Sequence, residues 1–216
     1  MNCNLSRIVH SCMNSFVIGI SGGSASGKTT LACLISKVLG KDQTNLISLD
    51  NYYLDFVSQG FNPDAINYDT PQSIDVALLV HDLKLLLDGQ PVEMPLYDFG
   101  THTRKKSGLI FSQRHYILIE GLFLFNIKLL APFFKLRIYV DTPDTVRLQR
   151  RIERDTRERH RSIHSVMAQY DTFVYPGHIR YVQPNRKLAD LIIRGDRPFQ
   201  DRMHEIIHLI DNRKTK

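Results

Sequence analysis

Cysteine is scarce: Cys3, Cys12 and Cys33 are the only three in 216 residues, and no two stand in C-x-x-C spacing. That excludes a disulfide framework and a cysteine-rich zinc site, and it points to a reducing, cytoplasmic setting. Long hydrophobic runs are missing too. A membrane span needs roughly 18 apolar residues in succession, and Glu120, Lys128 and Lys135 interrupt the most apolar region. Residues 1–15 lack a sustained apolar core and carry one arginine, which argues against a signal or transit peptide and for a flexible lead. There is no internal repeat and no low-complexity tail. What remains is globular in composition. With 43% hydrophobic and 23% charged residues, wholesale disorder is excluded, and residues 16–216 suit a single domain with a buried core.

Lysine and arginine number 28 against 22 acidic residues, a net charge of +6. The excess is concentrated. Arg147, Arg150, Arg151, Arg154, Arg157, Arg159 and Arg161 face only Glu153, Asp155 and Glu158 within one short window. A nucleic-acid surface spreads its charge over a face, whereas a short arginine-rich segment suits a compact anion such as a nucleoside triphosphate. Arg147, Arg150 and Arg157 are read as solvated helix-surface partners of Glu153 and Glu158.

Apolar strands and helical patterns alternate along the chain, the signature of an α/β fold with a parallel sheet. Strands are expected over Phe16–Ile20, Leu46–Leu49, Tyr116–Ile119, Leu136–Val140 and Leu191–Ile193, and helices over Lys28–Leu39, Ser73–Asp88 and Phe199–Asp211. Ser73 is the expected N-cap of the second helix and Gly89 its terminator. Residues 51–72 show no period and read as loop. Val92–Phe99 and Leu109–Phe111 read as a hairpin inserted at 90–114. From Pro143 an arginine-rich helix runs to a break near Arg159–Ser162, and Ile163–Phe173 resumes it.

Residues Gly22-Gly23-Ser24-Ala25-Ser26-Gly27-Lys28-Thr29 match G-x-x-x-x-G-K-[ST]. The glycines let backbone N–H groups converge on phosphate oxygens, the lysine reaches the terminal phosphates, and the hydroxyl serves Mg²⁺. Chance supplies roughly 0.004 such matches in a chain of this composition. The strand before the loop and the apolar-periodic helix after it complete a P-loop context. His204-Glu205-Ile206-Ile207-His208 also fits a zinc-protease pattern, but little chain follows to supply a third ligand, so an amphipathic closing helix is the better reading. Asp98-Phe99-Gly100 resembles a kinase magnesium motif without the H-R-D loop that should precede it.

A GTPase of the Ras type needs N-K-x-D, which is absent. A small kinase needs an acceptor pocket, a carboxylate near the acceptor hydroxyl and mobile arginines over the transferred group. Asp50 ends the second strand, where open α/β sheets place ligands, and it is read as that carboxylate rather than as an N-cap. Glu120 ends the third strand as a candidate Mg²⁺ carboxylate beside Thr29. Asp141 is read as a helix cap before Pro143.

Several stretches together resemble the uridine kinases (uridine–cytidine kinases) of the P-loop nucleoside-kinase family, closest in pattern to bacterial members. They are Ser21–Thr30, Leu49–Tyr53, Asn67–Pro71, Pro95–Arg104, Glu120-Gly121, Arg150–Asp155 and Ser165–Tyr170, within about residues 16–195. The resemblance implies a P-loop kinase with a central five-stranded parallel sheet flanked by helices, an inserted β-hairpin and an arginine-rich lid at 150–165. It implies ATP or GTP as donor, held by Gly22–Thr30 with Lys28 on the phosphates, and Mg²⁺ near Thr29, Glu120 and Asp50. Asp50 would orient the 5′-hydroxyl of a pyrimidine ribonucleoside. Asp69 and Arg151 would bind the ribose hydroxyls, Tyr97 and His102 the base, and Tyr68 and Phe99 would wall it. Tyr53, Arg161 and Gln169 would complete the pocket, and Arg154 and Arg159 would clamp the phosphates.

The resemblance further implies a cytoplasmic homotetramer inhibited by pyrimidine triphosphates, acting in pyrimidine salvage, with no nucleic-acid or membrane partner. The chain departs from the family pattern at Arg159-His160-Arg161, where Arg-Gly-Arg is usual, at Ile192–Arg197 near the donor base, and at Gly177-His178 on the pocket floor. Two other readings stay open. One is a phosphoribulokinase- or pantothenate-kinase-like enzyme with another acceptor. The other is a non-catalytic nucleotide-binding or regulatory module.

Overall fold

The computed structural model describes residues 15–62 and 65–214. The lead expected at 1–15 lies outside the described residues apart from Ser15, whose buried hydroxyl donates to the Arg114 carbonyl at 2.7 Å.

Five strands form one sheet: β1 (Phe16–Gly22), β2 (Thr44–Ser48), β7 (Tyr116–Gly121), β8 (Leu136–Asp141) and β9 (Leu191–Arg194), in the order β2-β7-β1-β8-β9. All four pairings are parallel. A strand alternates its side chains between the two faces, so an unbroken apolar run fills both. Val17, Ile117 and Ile119 pack on one side with Leu79, Leu83 and Leu86 of α2 (Val76–Leu87). Ile18, Ile20 and Leu118 pack on the other, against Leu31 and Ile35 of α1 (Lys28–Leu39) and Ile206 and Ile210 of α6 (Met203–Lys214). The expected five-stranded parallel sheet is therefore present, with helices on both faces.

Between α2 and β7 lie four short strands. β3 (Val92–Met94) pairs antiparallel with β6 (Leu109–Phe111), and β4 (Tyr97–Asp98) with β5 (Thr103–Arg104). The expected single strand over Val92–Phe99 is thus broken at Pro95-Leu96, because proline supplies no N–H to a ladder. Asp98-Phe99-Gly100 is a turn in which the Asp98 carboxylate accepts from the N–H of Gly100 and of Thr101. Arg104 ties this insertion to the body, donating to the Tyr53 carbonyl at 2.9 Å and pairing with Asp75 at 3.1 Å.

The N-cap of α2 is Asp75, not Ser73: the Asp75 carboxylate accepts from the Leu78 N–H at 3.0 Å. Ser73 instead donates to the carbonyls of Tyr68 and Thr70 and closes the preceding turn. The second strand ends at Ser48, so Leu49 and Asp50, expected at its end, open a tight helical turn over Leu49–Tyr52 that runs into the expected 51–72 loop. A second turn, Pro71–Ser73, closes that loop, and a bridge pairs Tyr53 with Ile74. Asp141 caps nothing; it faces Arg186 at 3.4 Å, and Pro143 precedes α3 (Asp144–Glu158) without a side-chain cap.

Along α3 the buried side chains are Arg147, Arg151 and Asp155, one per turn. Arg147 is therefore not a solvated partner. Its Nε donates to the Thr142 carbonyl at 3.2 Å and its Nη2 pairs with Asp144 at 2.5 Å. Arg150 also turns inward, donating to the Gly195 carbonyl, while Arg157 is exposed and pairs with Glu158 as expected of a surface residue. The chain leaves the helix at Arg159 and re-enters at α4 (Ile163–Gln169), where Ser162 caps the Ser165 N–H at 3.1 Å. The helical run then continues through wide π turns around α5 (Tyr175–Gly177) as far as Leu188. No helix among the described residues is long and apolar enough to cross a membrane.

Truncating Asp75 removes both a cap and the partner of Arg104. Asp75→Ala is expected to lower stability by about 1–2 kcal/mol, read as a shifted urea midpoint at constant slope.

Candidate active site

The loop from Gly22 to Lys28 turns directly from β1 into α1. Gly27 has φ +96°, a left-handed conformation open to glycine, and Ala25 sits at φ +59° before it. The Ser26 carbonyl accepts from the buried Thr142 hydroxyl at 2.9 Å, and Arg147 packs against Gly23. The loop is thus braced from behind by β8 and α3. Its open side faces a cavity of about 1110 Å³ lined by Gly27, Lys28, Thr29, Arg150, Arg197 and Phe199.

A second cavity of about 230 Å³ adjoins it, and Lys28 and Arg154 line both. Every residue assigned to the nucleoside by resemblance lines this smaller cavity. Tyr53, Tyr68 and Asp69 come from the loop after β2, Tyr97, Phe99 and His102 from the insertion, Arg151 from α3, Arg161 from the break after it and Gln169 from α4. Asp50, Arg154 and Arg159 line it as well.

Aromatic rings shape one wall. Tyr68 stacks on His102 with centroids 5.1 Å apart, and Tyr53 lies 5.4 Å from Tyr97. The Arg159 guanidinium sits 4.4 Å over the Phe99 ring, joining the arginine segment to the insertion. The opposite wall is charged. Arg151 donates to Ser24 of the phosphate loop and to the Gln169 carbonyl oxygen, both at 2.8 Å, and Arg161 donates to the same Gln169 oxygen at 2.5 Å. His160, between Arg159 and Arg161, has φ +53°. The backbone there keeps the left-handed shape that glycine adopts freely, at some strain to histidine.

Burial raises the pKa of Asp69, against the pull of Arg151. Burial raises Glu120 too, offset by Lys28 and reinforced by Asp50. Glu120 Oε1 accepts from Ser48 at 2.8 Å, while its buried Oε2 lacks a hydrogen bond, as does Asp50 Oδ1. These orphaned carboxylate oxygens, close to the P-loop, form an oxygen-only donor set of the type hard divalent cations take.

The sequence reading missed Arg150 and Phe199 on the larger cavity, and although it singled out Gly177 on the pocket floor it missed what Gly177 packs against. A Cβ at Gly177 would overlap the backbone of Asp69, so glycine lets the helical run press against that loop. No motif signals such a contact, because it exists only between distant segments. His178, the next residue, is a half-buried histidine whose pKa falls to about 4, chiefly through burial and then through Arg147.

Asp144 and Asp141 oppose that shift. In the unfolded chain this ring protonates near 6.5, and in the folded protein only near 4. Its contribution to stability is therefore complete above about pH 6.5 and is lost as the pH falls through that window. His178→Gln should remove about 2 kcal/mol of this acid sensitivity, seen as a smaller drop in Tm between about pH 7 and about pH 4.5.

Comparison with known proteins agrees with the geometry. Residues 17–198 match the family described as PRK: Phosphoribulokinase / Uridine kinase family. A uridine kinase of Staphylococcus epidermidis is 42% identical over 82% of this chain and 86% of its own length. The uridine-cytidine kinase-like 1 protein of Mus musculus is 40% identical over 83% of this chain and 33% of its own. The solved structure of a "Possible Uridine Kinase" from Bacillus stearothermophilus superposes with a TM-score of 0.61 at 25% identity, covering 83% of this chain and 89% of that one. With the match running through the P-loop, both cavities and the arginine-rich segment, this chain belongs to the phosphoribulokinase/uridine kinase family.

Proposed function

We propose that the protein is a pyrimidine ribonucleoside kinase, which transfers the γ-phosphoryl group of ATP or GTP to the 5′-hydroxyl of uridine or cytidine. One observation carries this reading: a small cavity with aromatic rings on one wall and Asp50, Asp69 and Arg151 on the other opens onto the P-loop at Lys28. A flat, hydrogen-bonding base suits the rings, and a diol suits a carboxylate beside a guanidinium. The names of the relatives support the same acceptor. The reading includes a cytoplasmic homo-oligomer acting in salvage of nucleosides.

In this mechanism Gly22–Thr30 holds the triphosphate, with Lys28 on its terminal oxygens. Asp69 and Arg151 bind the ribose, Tyr97 and His102 the base, and Tyr53, Gln169 and Arg161 frame the pocket. Asp50 accepts a hydrogen bond from the 5′-hydroxyl and aims a lone pair at phosphorus. A new P–O bond then forms as the bond to the β-phosphate oxygen breaks, the diphosphate leaves, and the hydroxyl proton passes to Asp50. A loose transition state needs little early proton removal, so orientation is the main demand on Asp50. Arg154 and Arg159, on a lid at 150–165, neutralise charge on the transferred oxygens. Thr29, Glu120 and Asp50 would hold Mg²⁺. When bound, the ion neutralises charge on the β- and γ-phosphate oxygens.

The test is diphosphate formation from Mg²⁺-ATP or Mg²⁺-GTP with single nucleosides, products being identified by mass. Uridine- or cytidine-dependent 5′-monophosphate is the expected result, and no turnover with either nucleoside would overturn the proposal. Asp50→Asn should bind a fluorescent ATP analogue normally while losing about 10²- to 10⁴-fold in kcat. For 2′-deoxyuridine, kcat/KM should fall at least about 100-fold, because the buried Asp69 is left without its hydroxyl partner. Asp69→Asn should shrink that discrimination; an undiminished ratio would remove Asp69 from the ribose site.

A further inference from the structure

Asp155 has no part in the scheme above, yet it is fully buried among four arginines. A carboxylate is almost never wholly buried unless paired, and here the pairing has a pattern. Oδ1 accepts from Arg154 Nε at 2.8 Å and lies 3.6 Å from Arg159 Nη1. Oδ2 faces Arg151 Nε at 3.5 Å and Arg161 Nη1 at 3.8 Å, without a hydrogen bond to either. One oxygen thus takes the two arginines that the proposed mechanism assigns to the phosphates, and the other takes the two it assigns to the acceptor. The Asp155 carbonyl also accepts from the Arg161 N–H at 3.1 Å, which fixes the chain reversal after α3.

Four guanidiniums around one carboxylate leave a surplus of positive charge that repels itself. Burial and the neighbouring arginines make Arg151 and Arg159 weaker cations than a free arginine. Asp69 draws on Arg151 and Asp50 on Arg159 from outside, but Asp155 is the carboxylate that all four guanidiniums share. Without it, Arg151 and Arg161 would retain their shared Gln169 oxygen, but among the described residues no side-chain hydrogen bond or ion pair would tie Arg154 and Arg159 to them.

We propose that Asp155 is the positioning residue of the arginine segment, binding the acceptor-side pair and the phosphate-side pair into one body, so that an acceptor held by Arg151 and Arg161 sets the clamp of Arg154 and Arg159. The inference rests on the nucleoside-kinase reading for the roles of the arginines, and on geometry alone for their attachment to Asp155. It also explains the unbonded Oδ2: Arg151 and Arg161 stand just outside hydrogen-bond range, a distance that ligand-driven closure of the segment would remove.

A double-mutant cycle in kcat with uridine tests it. Asp155→Asn and Arg159→Ala should each cost about 100-fold, and the double variant should be no more than about threefold below the weaker single. Multiplication of the two losses, or an unchanged kcat in folded Asp155→Asn, would overturn the proposal. Arginine Nε–H resonances in ¹⁵N-labelled protein supply a readout free of turnover. In Asp155→Asn, exchange protection at Arg154 should be lost, while Arg147, which bonds Thr142 from the same helix, stays protected. Loss at Arg147 as well would mean that the helix itself had failed, and Asp155 would be only structural. Should the asparagine variant not fold, Asp155→Glu, which keeps the charge and displaces it, enters the same cycle under the same criteria. Wild-type inactivity on uridine and cytidine would count against the function, while the resonances still decide the role of Asp155.

Discussion

A charged stripe buried along α3 organises the rest of the site. Guanidinium and carboxylate groups are costly to remove from water, and they persist only where other groups replace that water. Arg147, Arg151 and Asp155 meet much of this demand at three successive levels, each keeping one buried polar atom without a hydrogen bond. Arg147 lies behind the phosphate loop at Gly23, Arg151 reaches Ser24 and Gln169, and Asp155 gathers the arginines that follow. The helix that a hydrophobicity argument would place on the surface is therefore the one that connects phosphate loop, acceptor cavity and arginine segment.

The sheet supplies the fixed side of this arrangement. Parallel pairing brings Gly22, Ser48 and Gly121 to the same edge, so that Lys28, Asp50 and Glu120 converge although they are far apart in sequence. The insertion supplies the opposite wall. Its break at Pro95-Leu96 lets β4 and β5 turn independently of β3 and β6, and Arg104 anchors that smaller ladder on Asp75. The contact of Arg159 with Phe99 joins this wall to the arginine segment, and both residues line the smaller cavity.

Much of this was legible in advance. The P-loop could be read because consecutive residues carry its chemistry, and the core strands because burial on both faces demands unbroken apolar runs. The acceptor residues became legible only through family resemblance, since Tyr53, Asp69, His102 and Gln169 belong to no local motif. They are nevertheless gathered around one cavity. Errors came where local rules compete. Ser73 and Asp75 are both acceptable caps, and the choice went to the residue that also meets Arg104.

Arg147 was misread because a charged helix face normally points to water, and nothing in its neighbourhood in sequence announces the Thr142 carbonyl or Gly23. The sequence by itself determined the phosphate-binding loop, the sheet and its two apolar faces, because these follow from residue type and spacing along the chain. Tertiary structure alone decided which arginines turn inward, how Asp155 is shared among them, and why position 177 must be glycine against Asp69. Each of those depends on which distant groups meet in space, and a buried charge is stable only when such a meeting occurs.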